Sequence, residues 1–257
     1  MSASDPTSFK KTRPLDFLIS VVVLLLIWQA VVWLTGVPKF ILPGPVLVFK
    51  ALVDNAALIF DHSLVTIAEV LVGLVLGTGF GMLTALWLTL SSTARRFLMP
   101  VLIISQIVPV FALAPMLTLW LGYGIASKIA MTLLIIYFPV TSSFYDGLKS
   151  TPRGYLDLAQ TMGASRLKTL LKIQFPAALS SLASGLRLAA VYAPIGAVIG
   201  EWVGASNGLG YLMLLANGRV KIDLMFAALI ALCVFTILLR SLIGVLSDKA
   251  DQWAAGR

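Results

Sequence analysis

Ser150-Thr151-Pro152-Arg153-Gly154-Tyr155-Leu156-Asp157-Leu158-Ala159-Gln160-Thr161-Met162-Gly163 runs directly into Ala164-Ser165-Arg166-Leu167-Lys168-Thr169-Leu170-Leu171-Lys172-Ile173-Gln174-Phe175-Pro176. The punctuation of this stretch predicts two short helices. Thr151 is placed to cap a helix whose first position is Pro152, where a missing N–H costs nothing. Gly163 is placed to end that helix in a left-handed conformation. Ser165 then caps a second helix, which Pro176 stops. Leu167, Leu170 and Leu171 fall on one face of the second helix and need apolar cover. The expectation is a helix–glycine–helix elbow within a connection from about residue 149 to 178, with small side chains such as Ala159 letting a partner's surface come close. The same stretch also suits an amphipathic connection whose Arg166, Lys168 and Lys172 face lipid phosphates.

Apolar runs flank the elbow on both sides, at about Ile129–Leu148 and Leu179–Val203. Four more lie further out, at about Leu15–Leu34, Ile67–Leu90, Phe97–Leu121 and Leu224–Leu246. Each matches the roughly 20 helical residues that cross a hydrocarbon core about 30 Å thick. Of the 257 residues, 59% are hydrophobic and 12% charged, against about 25% charged in an ordinary soluble domain. This excludes a soluble enzyme, a disordered chain and a disulfide scaffold. The alternating ten-residue segments of a membrane barrel are missing, so the fold class is all-α integral membrane with six transmembrane helices. Residues 1–14 form a tail, and 15–257 a single membrane domain. The first run exceeds the apolar region of a signal peptide and lacks its small-residue end, which makes it an anchored span. Glycines (Gly73, Gly77, Gly79, Gly81) and prolines (Pro109, Pro115) interrupt the second and third spans, as membrane bundles tolerate.

The net charge of +8 does not imply nucleic acid, because the basic residues sit between spans and not on a soluble face. Lys10, Lys11, Arg13, Arg95, Arg96, Lys149, Arg153, Arg166, Lys168, Lys172, Lys249 and Arg257 fall on one side. Lys39, Lys50, Lys128, Arg219 and Lys221 fall on the other. Twelve against five places both termini and the elbow in the cytoplasm. The first external connection holds Leu42-Pro43-Gly44-Pro45, a turn signal, and Val46–Phe60 reads as a short amphipathic helix at the outer interface. No repeat relates the two halves, which weighs against an inverted-repeat carrier.

Charges within spans cost about 2.5–3.5 kcal/mol each at mid-membrane. They are Glu69, Arg187, Glu201 and Arg240; both arginines lie where they can snorkel. Glu201 follows Pro194-Ile195-Gly196-Ala197-Val198-Ile199-Gly200, a segment able to leave carbonyls free beside a cavity. It is therefore a candidate for a translocation pathway, the other reading being helix packing. Tyr192, Trp120, Pro109 and Pro115 are further pathway candidates, each with a belt, packing or kink reading beside it. The single histidine, His62, reads as a solvated loop residue, and Cys233 as a small packing residue. No nucleophile–base constellation or metal-ligand cluster can be assembled, and no cofactor is expected in this chain.

The elbow resembles the loop signature of importer permeases of the ATP-binding-cassette superfamily: Glu-Ala-Ala, three residues, Gly, nine residues, Ile, one residue, an apolar residue, Pro. Asp157-Leu158-Ala159 stands for the triplet, with Asp for Glu and Leu for the first Ala. Gly163, Ile173, Phe175 and Pro176 follow in register. The resemblance extends to Leu42-Pro43-Gly44-Pro45, to Pro109…Ala114-Pro115…Trp120-Leu121-Gly122-Tyr123-Gly124 and to Gly208-Leu209-Gly210, features of the sulfonate, taurine, nitrate and thiamine-precursor branch. It implies a type I importer permease fold in the bacterial inner membrane, with Asp157, Ala159, Gly163, Ile173 and Pro176 in a cytoplasmic coupling loop. It also implies an ATPase subunit in two copies, a solute-binding protein, surrounding lipid and a second copy of this chain. The string Gly163 through Lys168-Thr169 has Leu167 where a phosphate-binding loop needs its second glycine, so ATP is expected to be hydrolysed elsewhere. Residues 193–205 resemble permeases for thiamine-pyrimidine precursors more than those for sulfonate, taurine or nitrate. A self-contained secondary carrier and a membrane enzyme are the competing classes. The missing repeat weakens the first, and the missing reactive constellation the second.

Overall fold

The computed structural model describes residues 14–254; the expected tail through residue 13, with Lys10, Lys11 and Arg13, and the C-terminal Arg257 lie outside them. The helices are α1 (Pro14–Thr35), α2 (Pro45–Asp54), α3 (Ala56–Leu90), α4 (Ser92–Ser105), α5 (Val110–Leu121) and α6 (Ile125–Lys149), then α7 (Arg153–Thr161), α8 (Arg166–Thr169), α9 (Phe175–Ala177), α10 (Leu179–Trp202), α11 (Leu209–Gly218) and α12 (Ile222–Ala254). Five are long and apolar enough to cross a membrane, and α4 with α5 makes a sixth, bent by 102°.

The bend corrects the expected continuous third span over 97–121. The helical ladder lapses after Ser105: the Gln106 and Ile107 amides bond back to Ile103 and Ile104, and Pro109 has no N–H to continue it. The second span is also longer than expected. It begins at Ala56 instead of residue 67, because the chain turns at Asn55 (φ −113°, ψ 22°). That turn splits the expected helix at 46–60, leaving α2 with Val48 and Ala51 buried.

The glycines of α3 fix the topology. A Cβ at Gly73 would meet Thr132, one at Gly77 Ile136, and one at Gly81 Val140. Rising numbers on α3 meet rising numbers on α6, so these two helices run parallel. The α4–α5 pair must therefore carry the chain back across, and it is a broken span, not a re-entrant loop. Small residues of α10 meet α6 in the opposite sense, Gly185 on Ser143 and Gly200 on Lys128, so α10 is antiparallel to both. The Arg187–Asp248 ion pair, 2.7 Å, sets α12 antiparallel to α10 and ends it on the elbow side. Arg187 thus has a protein partner where snorkelling was expected.

The central core forms where α3, α6 and α10 meet, around Val70, Ile136, Val140, Phe144, Ala189 and Ala193. A second core, at the end remote from the elbow, joins α2 and α11 to α10 and α12 through Val48, Val198, Leu209, Leu212 and Ala227. Cys233 is exposed on α12 instead of packed. The glycine stripe of α3, Gly73, Gly77 and Gly81, packs within the chain. Gly77→Val is expected to destabilise the bundle by about 1–3 kcal/mol, as overpacking does, because Ile136 side-chain atoms lie 2.6–2.7 Å from the added Cβ position. Thermal unfolding in detergent should show it, and Gly79→Val, whose Cβ position meets nothing within 4 Å, should leave the midpoint nearly unchanged.

Candidate functional site: the elbow and a buried polar clamp

The elbow forms, with changed detail. Gly163 takes φ +72°, and its N–H and that of Ala164 bond to Gln160 and Ala159, closing α7. The Ser165 hydroxyl accepts from Lys168 N–H at 3.3 Å, capping α8 as expected. Thr151 does not cap α7; its hydroxyl donates back to Leu148 O at 3.2 Å. Nor does Pro176 stop the second helix. Residues Leu170–Gln174 widen into a π-helical turn, after which Pro176 sits in the first turn of α9, where its missing N–H is harmless. The chain enters α10 without leaving helical geometry. Ile173 is half-buried in this turn.

Of the three leucines expected on one buried face, only Leu170 is buried; Leu167 and Leu171 are about half exposed. Ala159 is buried within the elbow itself, so its small side chain serves the elbow's own packing. Asp157 is exposed. Tyr155, Leu158 and Met162 form an exposed apolar face along α7 and its C-cap, Met162 being 77% exposed, among the exposed polar residues Arg153, Asp157 and Gln160. Beside the elbow lies a cleft of about 620 Å³, between the end of α3 at Thr89–Leu90 and Gln160, Arg166 and Gln174.

At the opposite end is a polar cluster only partly foreseen. Glu201, 1% exposed, accepts from the Thr66 hydroxyl at 2.6 Å and from the Gly210 N–H. Thr66 in turn accepts from Leu209 N–H at 2.8 Å, and His62 Nδ1 accepts from Gly208 N–H at 3.0 Å. Three successive amides at the start of α11, which a helix N-terminus leaves without intrahelical partners, are thus satisfied by α3 and α10. Lys128, 2% exposed, donates to Tyr123 O and to Gly204 O at 3.1 Å, tying down the connection before α11. Glu69, 3% exposed, is buried near Glu201 and Lys128.

Several expectations change here. His62 is a buried member of α3, not a solvated loop residue, and stacks near Tyr211 with ring centroids 5.8 Å apart. Lys128 is a buried residue of α6, not an external loop cation. α10 is continuous through Pro194, so no carbonyls open beside Glu201, whose carboxylate is committed to α11. Tyr192, Pro109, Pro115 and Trp120 are exposed on the chain's surface. Among the described residues no group of acidic, histidine or cysteine side chains is arranged to hold a metal ion.

Comparison with known proteins accords with this architecture. The family profile described as binding-protein-dependent transport system inner membrane component matches residues 77–252. A probable ABC transporter permease protein of Haemophilus influenzae is 54% identical over 86% of this chain and 91% of its own length. The formylaminopyrimidine transport permease protein ThiX of Halalkalibacterium halodurans is 40% identical over 79% and 80%, and the riboflavin permease RibX of Chloroflexus aurantiacus 35% identical over 92% and 89%. Permeases named for aliphatic sulfonates in Bacillus subtilis and for taurine in Escherichia coli are similar at 30% over 90% of this chain and 84% of their own, and at 28% over 90% and 86%. In three dimensions the chain resembles the inward-facing MetNI methionine ABC transporter, with a TM-score of 0.61 and 19% identity, over 76% of this chain and 95% of that one. The competing classes, a self-contained carrier and a membrane enzyme, are set aside by the family match and the permease relatives. The chain belongs to the family of binding-protein-dependent transport system inner membrane components, the multi-pass permease subunits of ABC importers.

Proposed function

We propose that this permease docks on its ATPase through the α7–α8 elbow and imports a pyrimidine precursor of thiamine. The observation that carries the docking is the exposed apolar surface of Tyr155, Leu158 and Met162 on a rigid glycine-closed turn. An apolar patch on a membrane protein's aqueous projection marks a protein contact. Asp157, Ala159, Gly163, Ile173 and Pro176 shape that projection, and ATP is hydrolysed in the partner. The excess of Lys and Arg on the elbow side puts the elbow and both termini in the cytoplasm. The solute is delivered by a separate binding protein, and Tyr192, Pro109, Pro115 and Trp120 belong to the face along which it passes. Glu201 acts on that face only indirectly, by holding α11.

One chain supplies one elbow, and an ATPase pair closing symmetrically needs two. The chain therefore works as a two-fold dimer, the commonest oligomer, joined through a face other than the α3 glycine stripe. Two differently tagged copies are expected to co-purify with the ATPase in detergent. Active complex in which the tags never meet would refute the homodimer.

The solute assignment rests on the resemblance to ThiX. Its test is ATP-dependent uptake into proteoliposomes holding permease, ATPase and cognate binding protein. Formylaminopyrimidine should accumulate in preference to taurine, an alkanesulfonate or nitrate. Preference for one of those charged solutes would move the chain to the other branch.

A further inference from the structure

The break between α4 and α5 leaves residues 105–109 exposed on the surface of the chain. Fourteen residues of α4 at about 1.5 Å each reach at most about 21 Å from the elbow end, and less along the membrane normal because the pair bends by 102°, so the break lies inside a core about 30 Å thick. Pro109, the residue before α5, supplies no side-chain cap to the helix's first amides. Irregular backbone at this depth is not tolerated against lipid; it persists only under protein or beside water. This face is therefore turned away from the bilayer.

Two clefts flank the break and share Ser105, Val110 and Leu134. One, about 370 Å³, is apolar apart from Ser105 and Tyr137, and the Tyr137 hydroxyl is paired with Thr84 at 2.8 Å. The other, about 260 Å³, is lined by Ser105, Gln106, Phe138, Pro139 and Tyr192 among others. The Ser105 hydroxyl is used within its own helix, on Leu102 O at 2.7 Å. That leaves the Gln106 amide and the Tyr192 ring and hydroxyl to offer to a solute. No charged residue lines either cleft. The spanning charges Glu69, Lys128 and Glu201 are buried in the clamp, Arg187 is paired with Asp248, and Arg240, exposed on α12, lines neither cleft.

We propose that Gln106 and Tyr192 form a solute-contact site at this break, selective for an uncharged planar heterocycle. The Tyr192 ring provides a stacking face. The Gln106 side chain presents an N–H donor and a carbonyl acceptor in one plane, matching adjacent donor and acceptor atoms on a ring edge. A sulfonate or nitrate would give up hydration here and meet no counter-charge, a cost the wall does nothing to offset. The site rests on the importer-permease reading and adds to it which residues read the solute and why a neutral ring is preferred.

The test uses the assembled transporter in proteoliposomes with labelled formylaminopyrimidine and taurine as probes, uptake being normalised to assembled complex. Gln106→Leu and Tyr192→Leu should each lower formylaminopyrimidine uptake at least tenfold, with Tyr192→Phe keeping several-fold more than Tyr192→Leu. Gln106→Arg should lower pyrimidine uptake and raise the taurine-to-pyrimidine ratio. Undiminished uptake in both leucine variants, or a wild type that carries taurine and not the pyrimidine, overturns the site. Failure of the wild type to assemble with an ATPase would instead overturn the permease reading. A second measurement is independent of transport: Gln106→Cys in a Cys233→Ala background should react with a membrane-impermeant maleimide and be protected by formylaminopyrimidine. Reaction only with a membrane-permeant maleimide would show a dry face and overturn the site.

Discussion

Gly208→Ala should remove most of the folded permease, lowering the unfolding midpoint in detergent by well over 5 °C or preventing accumulation altogether. Gly208 has φ +110° and ψ 161°, a conformation essentially confined to glycine, and side chains forced there cost about 1–3 kcal/mol. An added Cβ would also lie 2.3 Å from Glu201 Cδ. The carboxylate cannot swing away without releasing Thr66 and the Gly210 amide, and each buried group left unpaired costs about 1–3 kcal/mol. Together these reach about 3–9 kcal/mol, a large part of the 5–15 kcal/mol that ordinarily separates folded from unfolded protein. The clash has its own signature. Glu201→Ala alone should be destabilising, yet combined with Gly208→Ala it should recover part of the loss, a strongly non-additive cycle. Simple additivity would mean that backbone strain, not the carboxylate, sets the cost.

The clamp shows what could and could not be read from the chain alone. Composition and span length gave the helical membrane class, because lipid leaves the backbone few options. The span boundaries were less accessible. Asn55 splits α2 from α3 and Ser105–Pro109 break the third span through turn geometry that hydropathy does not register. His62 was misplaced because hydropathy counts it as a break. Register would have recovered it: His62, Thr66, Glu69, Gly73, Gly77 and Gly81 follow at three- or four-residue spacing, one continuous face of a helix. A histidine, a threonine and a glutamate on the buried side of a glycine stripe are poor lipid or solvent residues and need partners. The partners of His62 and Thr66, the amides of Gly208 and Leu209 and the Glu201 carboxylate, lie more than 130 residues away, and no local pattern announces them. Lys128 was hidden likewise, since its acceptors are main-chain carbonyls. At the elbow, Gly163 and Ser165 were legible because each acts on its immediate neighbours. The helical path through Pro176 was not, as it needs a π-helical turn that sequence punctuation does not encode.

Gly163→Val should leave the permease inserted and folded but abolish stable association with the ATPase. The two sides of that expectation come from different observations. A Cβ at Gly163 meets nothing within 4 Å, so the substitution creates no clash and disturbs no core. Its cost is the backbone alone: φ +72° is left-handed, which a side chain penalises by about 1–2 kcal/mol, and β-branched valine sits at the upper end. Relief is available by re-angling α7, short and, apart from Ala159, largely exposed, against α8, whose following residue Leu170 is anchored in the central core. The elbow, not the bundle, therefore absorbs the strain. Tyr155, Leu158 and Met162 would then point away from the surface they fit, and docking of packed apolar groups fails over displacements of about an ångström. Gly163→Asn supplies the control, because asparagine tolerates the left-handed region and should retain most of the co-purifying ATPase. Met162→Asp, which leaves the backbone alone and charges the exposed surface, should lose it. An unchanged unfolding midpoint with loss of co-purification in Gly163→Val is the expected pair. A lowered midpoint with ATPase still bound would assign Gly163 to the stability of the membrane domain instead.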